Sequence, residues 1–282
     1  MSNNEHWDLV IKPKSNWLDI NFADLWRYRD LILLFVKRDF VALYKQTILG
    51  PIWHIIQPLF TTFLYAVVFG EIANLKTDGS PRPLFYLSGI IMWNFFSGCL
   101  LNTANTFIAN AGIFGKIYFP RLVIPISTVI STSIRFGIQF LLLIAFLLFY
   151  IFIKDIHIST TYYVLYVPIL IIIMGVMGLG FGIMISSLTT KYRDIALFLG
   201  FALQLLMYLT PVIYPASLWG KYQWVMDVNP MTPIIESFRH AMLGSGHFDM
   251  RGIMYSGIFS IVVFFIGAIL FTRTEKTFMD TV

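Results

Sequence analysis

Residues able to do covalent chemistry are few in this chain and far apart. The histidines are His6, His54, His157, His240 and His247, and no HExxH, CxxC or phosphate-cradling glycine loop ending in Lys-Ser/Thr occurs. A zinc site needs three or four converging Cys, His or carboxylate ligands. His240 and His247 have no such company, so no metal is expected. Cys99, the single cysteine, sits in an apolar run and reads as a small buried hydrophobe. Asp8, Asp19, Asp24, Asp30 and Asp39 all precede the first long apolar run, which leaves no chain of acids to relay protons through such runs. What remains are spaced charges. Glu236 lies three residues before Arg239 and four before His240, on a helix expected to start at Thr232-Pro233, so either can pair with it. Lys37-Arg38-Asp39 and Lys45 form a basic approach to the first apolar run. Arg135 is the one charged residue inside a run, with Gln139 one turn on. Two roles suit it: snorkelling or neutralisation beside a neighbouring helix, and contact with an anionic group in transit.

The elements that must position these residues are membrane helices. The 282 residues are 57% hydrophobic and only 12% charged, where a soluble domain carries about 25%. Disorder and a disulfide scaffold are excluded by the same composition. The net charge of +5 does not point to nucleic acid, because the basic residues flank apolar runs instead of forming a block. A crossing takes about 20 apolar residues. Charge-free runs predict six: His54–Gly70, Leu84–Thr106, a third within Leu122–Ile153, Tyr163–Leu188, Ile195–Tyr214 and Gly252–Thr272. None alternates as an outer-membrane strand would. With six crossings, 13 Lys and Arg fall on the side of the termini and 6 on the other. That bias predicts cytoplasmic termini. The first thirty residues are polar and charged, and no cleavable signal peptide is expected.

The expected organisation is therefore a cytoplasmic N-terminal region over residues 1–53, a six-helix domain over 54–272 and a cytoplasmic tail over 273–282. Within the first region, Leu25 to Val36 mixes aromatics, charges and aliphatics as an amphipathic interface helix does. A plain positive-inside anchor is the other reading of it. The 211–250 stretch is broken by Pro211, Pro215, Pro230 and Pro233, yet stays mostly apolar. It reads as short re-entrant helices, with a plain outer loop as the alternative. Gly178 and Gly182 form a small-xxx-small pair suited to close helix packing. The 48 aromatic residues exceed what interfacial belts require. Stacked rings suit the apolar C–H faces of sugars, so a glycan channel is one function consistent with them.

Several motifs resemble those of a known family. Lys37-Arg38-Asp39, the Tyr44–Trp53 stretch (YKQTILGPIW) and Gln57-Pro58 resemble the permease subunits of polysaccharide and polyol-phosphate ABC exporters, O-antigen exporters in particular. So do Gly115–Arg121 (GKIYFPR) with Pro125, Lys191–Asp194 (KYRD), Thr210–Tyr214 (TPVIY), Asn229–Glu236 (NPMTPIIE) with Arg239, and the closing Glu275 and Phe278. The resemblance spans residues 20–280. It implies a type-2 ABC exporter permease fold, all-α, with six transmembrane helices, an N-terminal interface helix and re-entrant helices outside. It further implies a homodimer served by two separate ATPase subunits, which carry the ATP and Mg.

The family's ATPase-facing elements correspond to Trp26, Arg27, Tyr28 and Arg29 and to Lys116, Tyr118, Phe119, Pro120 and Arg121. Arg38, Tyr44 and Lys45 stand at the expected substrate entry, where Arg38 and Lys45 would meet a lipid-linked pyrophosphate. Tyr65, Phe69 and Tyr208 are candidate channel-lining residues. Pro211, Tyr214, Asn229, Pro230, Glu236 and Arg239 mark the re-entrant segment. The expected function is export of undecaprenyl-pyrophosphate-linked polysaccharide across the bacterial inner membrane. No catalysis and no cofactor are expected in this subunit. The alternatives are a small-lipid or drug exporter permease, a teichoic-acid or capsule exporter, a membrane-bound glycan-processing enzyme and a structural scaffold.

Overall fold

Lipid offers backbone groups no partners, so a charge-free apolar run there satisfies itself as helix. A computed structural model of the chain describes residues 22–45, 50–114, 119–156, 158, 160, 162–190, 192 and 194–278, and among them every regular element is helical. Short helices α1 (Phe22–Arg27) and α2 (Arg29–Lys45) precede α3 (Trp53–Tyr65), which runs on as a π-helix, Ala66–Ile72. Then come α4 (Arg82–Ala104), α5 (Thr106–Phe114), α6 (Val123–Phe152) and α7 (Val167–Thr189) with a 3-10 turn, Tyr162–Tyr166, ahead of it. After α8 (Asp194–Tyr208), the chain breaks into a 3-10 stretch, Ala216–Tyr222, and helices α9 (Gln223–Val228) and α10 (Met231–Leu243). Helix α11 (Met250–Phe278) closes the described chain.

Five of these stretches are long and apolar enough to cross a membrane: Trp53–Ile72, Arg82–Ala104, Val123–Phe152, Tyr162–Thr189 and Met250–Thr274. They match five of the six predicted runs. The sixth, expected over Ile195–Tyr214, is helical only to Tyr208. Its 15 residues reach about 22 Å, short of the ~30 Å hydrocarbon core. The cause is local. Proline restrains the residue before it from helical geometry, and Thr210 precedes Pro211.

Helices α4, α7 and α11 form the hub. Water-driven association is missing between helices in lipid, so close backbone approach must hold them. The glycines expected to pack do so. A Cβ on Gly178 would lie 2.7 Å from Cys99 Cβ, and one on Gly182 2.5 Å from Thr103 Cβ, both on α4. On the α11 side, a Cβ on Gly180 would meet the Phe264 backbone nitrogen at 2.7 Å, and one on Gly267 the Gly180 carbonyl at 2.5 Å. Thr189 Oγ1 also donates to the Ala104 carbonyl at 3.2 Å. Cys99 is free and buried in this seam. A second core lies at the bundle end shared by α2 and the close of α11. There Phe35, Phe107, Phe114, Phe119 and Phe271 pack with Leu25, Leu122 and Ile183.

Candidate functional site

At the terminal end, an aromatic chain ties the first helices to the hub. Phe35 of α2 meets Phe119 at 5.9 Å between centroids, Phe119 meets Phe114 at 5.8 Å, Phe114 meets Phe107 at 5.8 Å, and Phe107 stacks on Phe271 of α11 at 4.5 Å. Arg121 lies over the Phe114 ring at 5.3 Å. Pro120 starts the turn into α6, its carbonyl accepting from Val123 N at 3.0 Å. Of the residues assigned above to ATPase contact, Phe119 is buried, Tyr28 packs on this core and Trp26 is 70% exposed with Arg29 over its ring at 5.6 Å. Arg27 is exposed. Lys116 and Tyr118 lie outside the described residues.

On α2, Arg38 donates to Asp39 Oδ1 from Nε at 3.0 Å and from Nη2 at 2.8 Å, and covers the Phe35 ring at 4.7 Å. Lys45 is exposed at the end of the helix, and the Tyr44 side chain lies outside the described residues. The basic approach thus presents a guanidinium half-neutralised by Asp39 and two exposed ammonium groups, Lys37 and Lys45.

The opposite end carries a buried latch. Helix α8 ends in a turn whose carbonyls at Pro211 and Val212 have lost helical partners. Arg239 of α10, fully buried, donates to both, at 2.5 and 2.6 Å, and to Glu236 Oε1 at 3.5 Å. Its guanidinium lies 3.8 Å from the centroid of Phe85 on α4. Glu236 Oε1 also accepts from Ala216 N at 3.3 Å, so the pair grips both ends of the break. The turn presses on Gly89, where a Cβ would sit 2.6 Å from both Arg239 Nη2 and the Val212 carbonyl. Gly89 is about 10 Å along α4 from its start, so the broken backbone lies level with the helices and not beyond them.

A second clamp flanks the first. Asn229 Nδ2 donates to the Leu209 carbonyl at 2.9 Å and to Thr210 Oγ1 at 3.0 Å, while its Oδ1 accepts from Met231 N at 2.9 Å. Helix α10 therefore starts at Met231, held by Asn229, not at Thr232-Pro233 as expected. Ser256 Oγ of α11 donates to the Pro230 carbonyl at 2.7 Å. Tyr214 donates to the Tyr208 carbonyl and packs on Trp219 at 5.8 Å. His240, one of two partners expected for Glu236, instead faces the Gly246 carbonyl at 3.2 Å and the Tyr163 ring at 5.4 Å. Spacing alone could not reveal Phe85 and Gly89, which reach the latch across more than a hundred residues.

The three candidate lining residues meet where α3 faces α8. Tyr65 stands edge-on to Phe69 at 5.4 Å and to Tyr86 at 6.3 Å, and its hydroxyl reaches Met207 Sδ at 3.8 Å. Tyr208 follows with its side chain exposed. No group of three or more His, Cys, Asp or Glu able to hold a metal occurs among the described residues.

Five long apolar helices, a broken apolar segment latched among them and no metal cluster among the described residues describe a membrane component. A family model described as ABC-2 type transporter matches residues 30–243. The chain belongs to the ABC-2 type transporter family. It is a non-catalytic permease subunit, similar to permeases of O-antigen export. It is 27% identical over 253 residues to an O-antigen export system permease protein RfbA of Klebsiella pneumoniae, covering 89% of this chain and 94% of that one. A protein of the same name from Myxococcus xanthus is 21% identical over 262 residues, covering 92% and 98%. The polysialic acid transport protein KpsM of Escherichia coli is 22% identical over 234 residues, covering 83% and 89%. In this ABC-2 permease the family match takes in α2, the aromatic chain as far as Phe119 and the whole Arg239 latch.

Proposed function

We propose that this permease moves undecaprenyl-pyrophosphate-linked polysaccharide of O-antigen type across the bacterial inner membrane, as a homodimer driven by two ATPase subunits. The observation that carries this reading is the similarity to O-antigen export permeases along nearly the full length of both chains. Both termini face the cytoplasm. Helix α8 with its latched extension makes the sixth crossing, and the 211–250 segment is re-entrant from outside. Alpha-helix α2 and the loop before Pro120 receive the ATPase stroke, and the ring chain from Phe35 to Phe271 passes it to α11. Rigid packed rings suit that task better than a flexible tether.

Arg38 and Lys45 attract the pyrophosphate at the cytoplasmic mouth, and the glycan threads along aromatic side chains near Tyr65, Phe69 and Tyr208. Alanine at Arg38 and Lys45 together is expected to weaken export while the permease–ATPase complex still assembles. Loss of assembly would make both residues structural. The function itself is tested by depleting the protein in its host and analysing lipid-linked glycans by mass spectrometry. Long polymer accumulating on the lipid carrier inside the cell supports the exporter. An unchanged glycan pool with surface polysaccharide still present overturns it in favour of small-lipid or drug export.

A further inference from the structure

At the end of the bundle away from the termini, three segments enclose a cavity of about 180 Å³ that no step above uses. The loop before α4 contributes Asp78, Ser80 and Pro81, the segment after α6 contributes Ile156 and Ile158, and the close of α10 contributes Ser245. Asp78 and Gly79 hold φ values of 47° and 81°, and Ser80 N donates to the Thr77 carbonyl at 3.0 Å. Two positive φ values in succession favour Asp-Gly, and the tight turn sets the Asp78 carboxylate at the cavity.

We propose that this cavity binds a neutral sugar residue, an outer subsite for the exported glycan; the assignment of the glycan rests on the function proposed above. The wall is rich in acceptors: the Asp78 carboxylate, Ser80 and the carbonyl end of α10, where the helix dipole is negative. Such a wall repels phosphate and uronate and suits groups that donate, as sugar hydroxyls do. A bare divalent cation fits poorly, because calcium takes six to eight oxygens, usually several of them carboxylate. Among the lining residues there is one carboxylate. Ile156 and Ile158 give the cavity an apolar side, which a cation would not use and the C–H face of a pyranose would.

A second observation points the same way. The turn after α10, where Gly244 and Gly246 hold positive φ, leads to an aromatic step. The Gly246 carbonyl meets His240, and next to His240 Tyr163 stacks on Phe248 at 4.0 Å, with Tyr162 beside it 78% exposed. A sugar chain leaving the cavity over the α10 turn would meet these rings.

The test uses the full-length protein in lipid nanodiscs, with methyl α-mannoside, methyl β-galactoside and methyl N-acetyl-β-glucosaminide as probes in saturation-transfer NMR. At least one glycoside is expected to bind. Asp78→Gly keeps the turn and deletes the carboxylate, and is expected to weaken that binding about tenfold. Tyr162→Ala, at the exposed aromatic step, is expected to weaken binding while leaving the melting temperature unchanged. No glycoside bound by the wild type, or equal binding by both variants, overturns the site. EDTA-sensitive calcium binding with no glycoside signal overturns it as well. If glycosides bind but depletion leaves the glycan pool unchanged, the exporter reading falls and the sugar site stands. If export holds and the variants bind like the wild type, only the site falls.

Discussion

Helices α4 and α3 are neighbours of similar apolarity, yet the fold treats them oppositely. In α4, 78% of the apolar stretch is buried, against 17% for α3 with its π-helical end. Helix α8 resembles α3: only Leu199 and Leu203 are buried, while Leu197 is 83% and Phe198 64% exposed. Hydrophobicity therefore does not decide which helices this chain buries. Small residues do. Glycines on α7 and α11 let the hub backbones touch, and α3 and α8 carry bulky Phe60, Phe63, Phe198 and Phe201 outward. Such faces suit lipid or a second copy of the chain, and in the proposed homodimer they form the seam beside the glycan path.

The largest effect should come from breaking the hub. Gly180→Val puts side-chain atoms against the α11 backbone and is expected to cost about 3 kcal/mol or more. Fluorescence-detected size exclusion should find almost no monodisperse protein. A well-behaved variant would mean the hub is not what holds the bundle.

Removing the latch comes next. Arg239→Met leaves the Pro211 and Val212 carbonyls and the Glu236 carboxylate without their cation, at a cost of about 3–5 kcal/mol. Arg239→Lys restores the charge but not the planar fork, and should recover only part of the loss. Thermal unfolding in nanodiscs orders the three proteins. Equal melting temperatures would show that the break in α8 holds itself.

The exposed pair should respond differently. Phe60→Ala with Phe201→Ala is expected to leave each chain folded and to weaken self-association about tenfold. Light scattering across a dilution series measures this. A lost fold with unchanged association would reverse the contrast between the two regions. The smallest effect is expected at Tyr65→Phe, which removes a weak hydroxyl contact to Met207 sulfur and should cost under about 1 kcal/mol. A larger loss by the same melting assay would mean that the α3–α8 junction is itself a core.

Much of this contrast was written in local patterns. The five long helices follow from charge-free runs, since lipid penalises charge wherever it falls. The packing role of Gly178 and Gly182 could be read from their spacing. The Glu236–Arg239 pair was also visible, because three residues is one helical turn. The same rule offered His240 equally, and only the turn at Gly244–Gly246 draws that ring away. The helix end at Tyr208 was missed because hydropathy continues to Tyr214 while backbone geometry does not. Phe85, Gly89 and the two outer links of the aromatic chain, Phe35 to Phe119 and Phe107 to Phe271, are long-range contacts that leave no spacing signal.

The seam is tested most directly by disulfide formation between two differently tagged copies in native membranes, each with Cys99→Ala. One copy carries Phe60→Cys and the other Phe201→Cys, residues about level with each other because Tyr65 meets Met207. A mixed-tag disulfide is expected at this pair and not between copies carrying Ile258→Cys and Ile261→Cys on the exposed face of α11. The reverse pattern, with the α11 pair joined and the α3–α8 pair not, would contradict a homodimer built on the thinly covered helices.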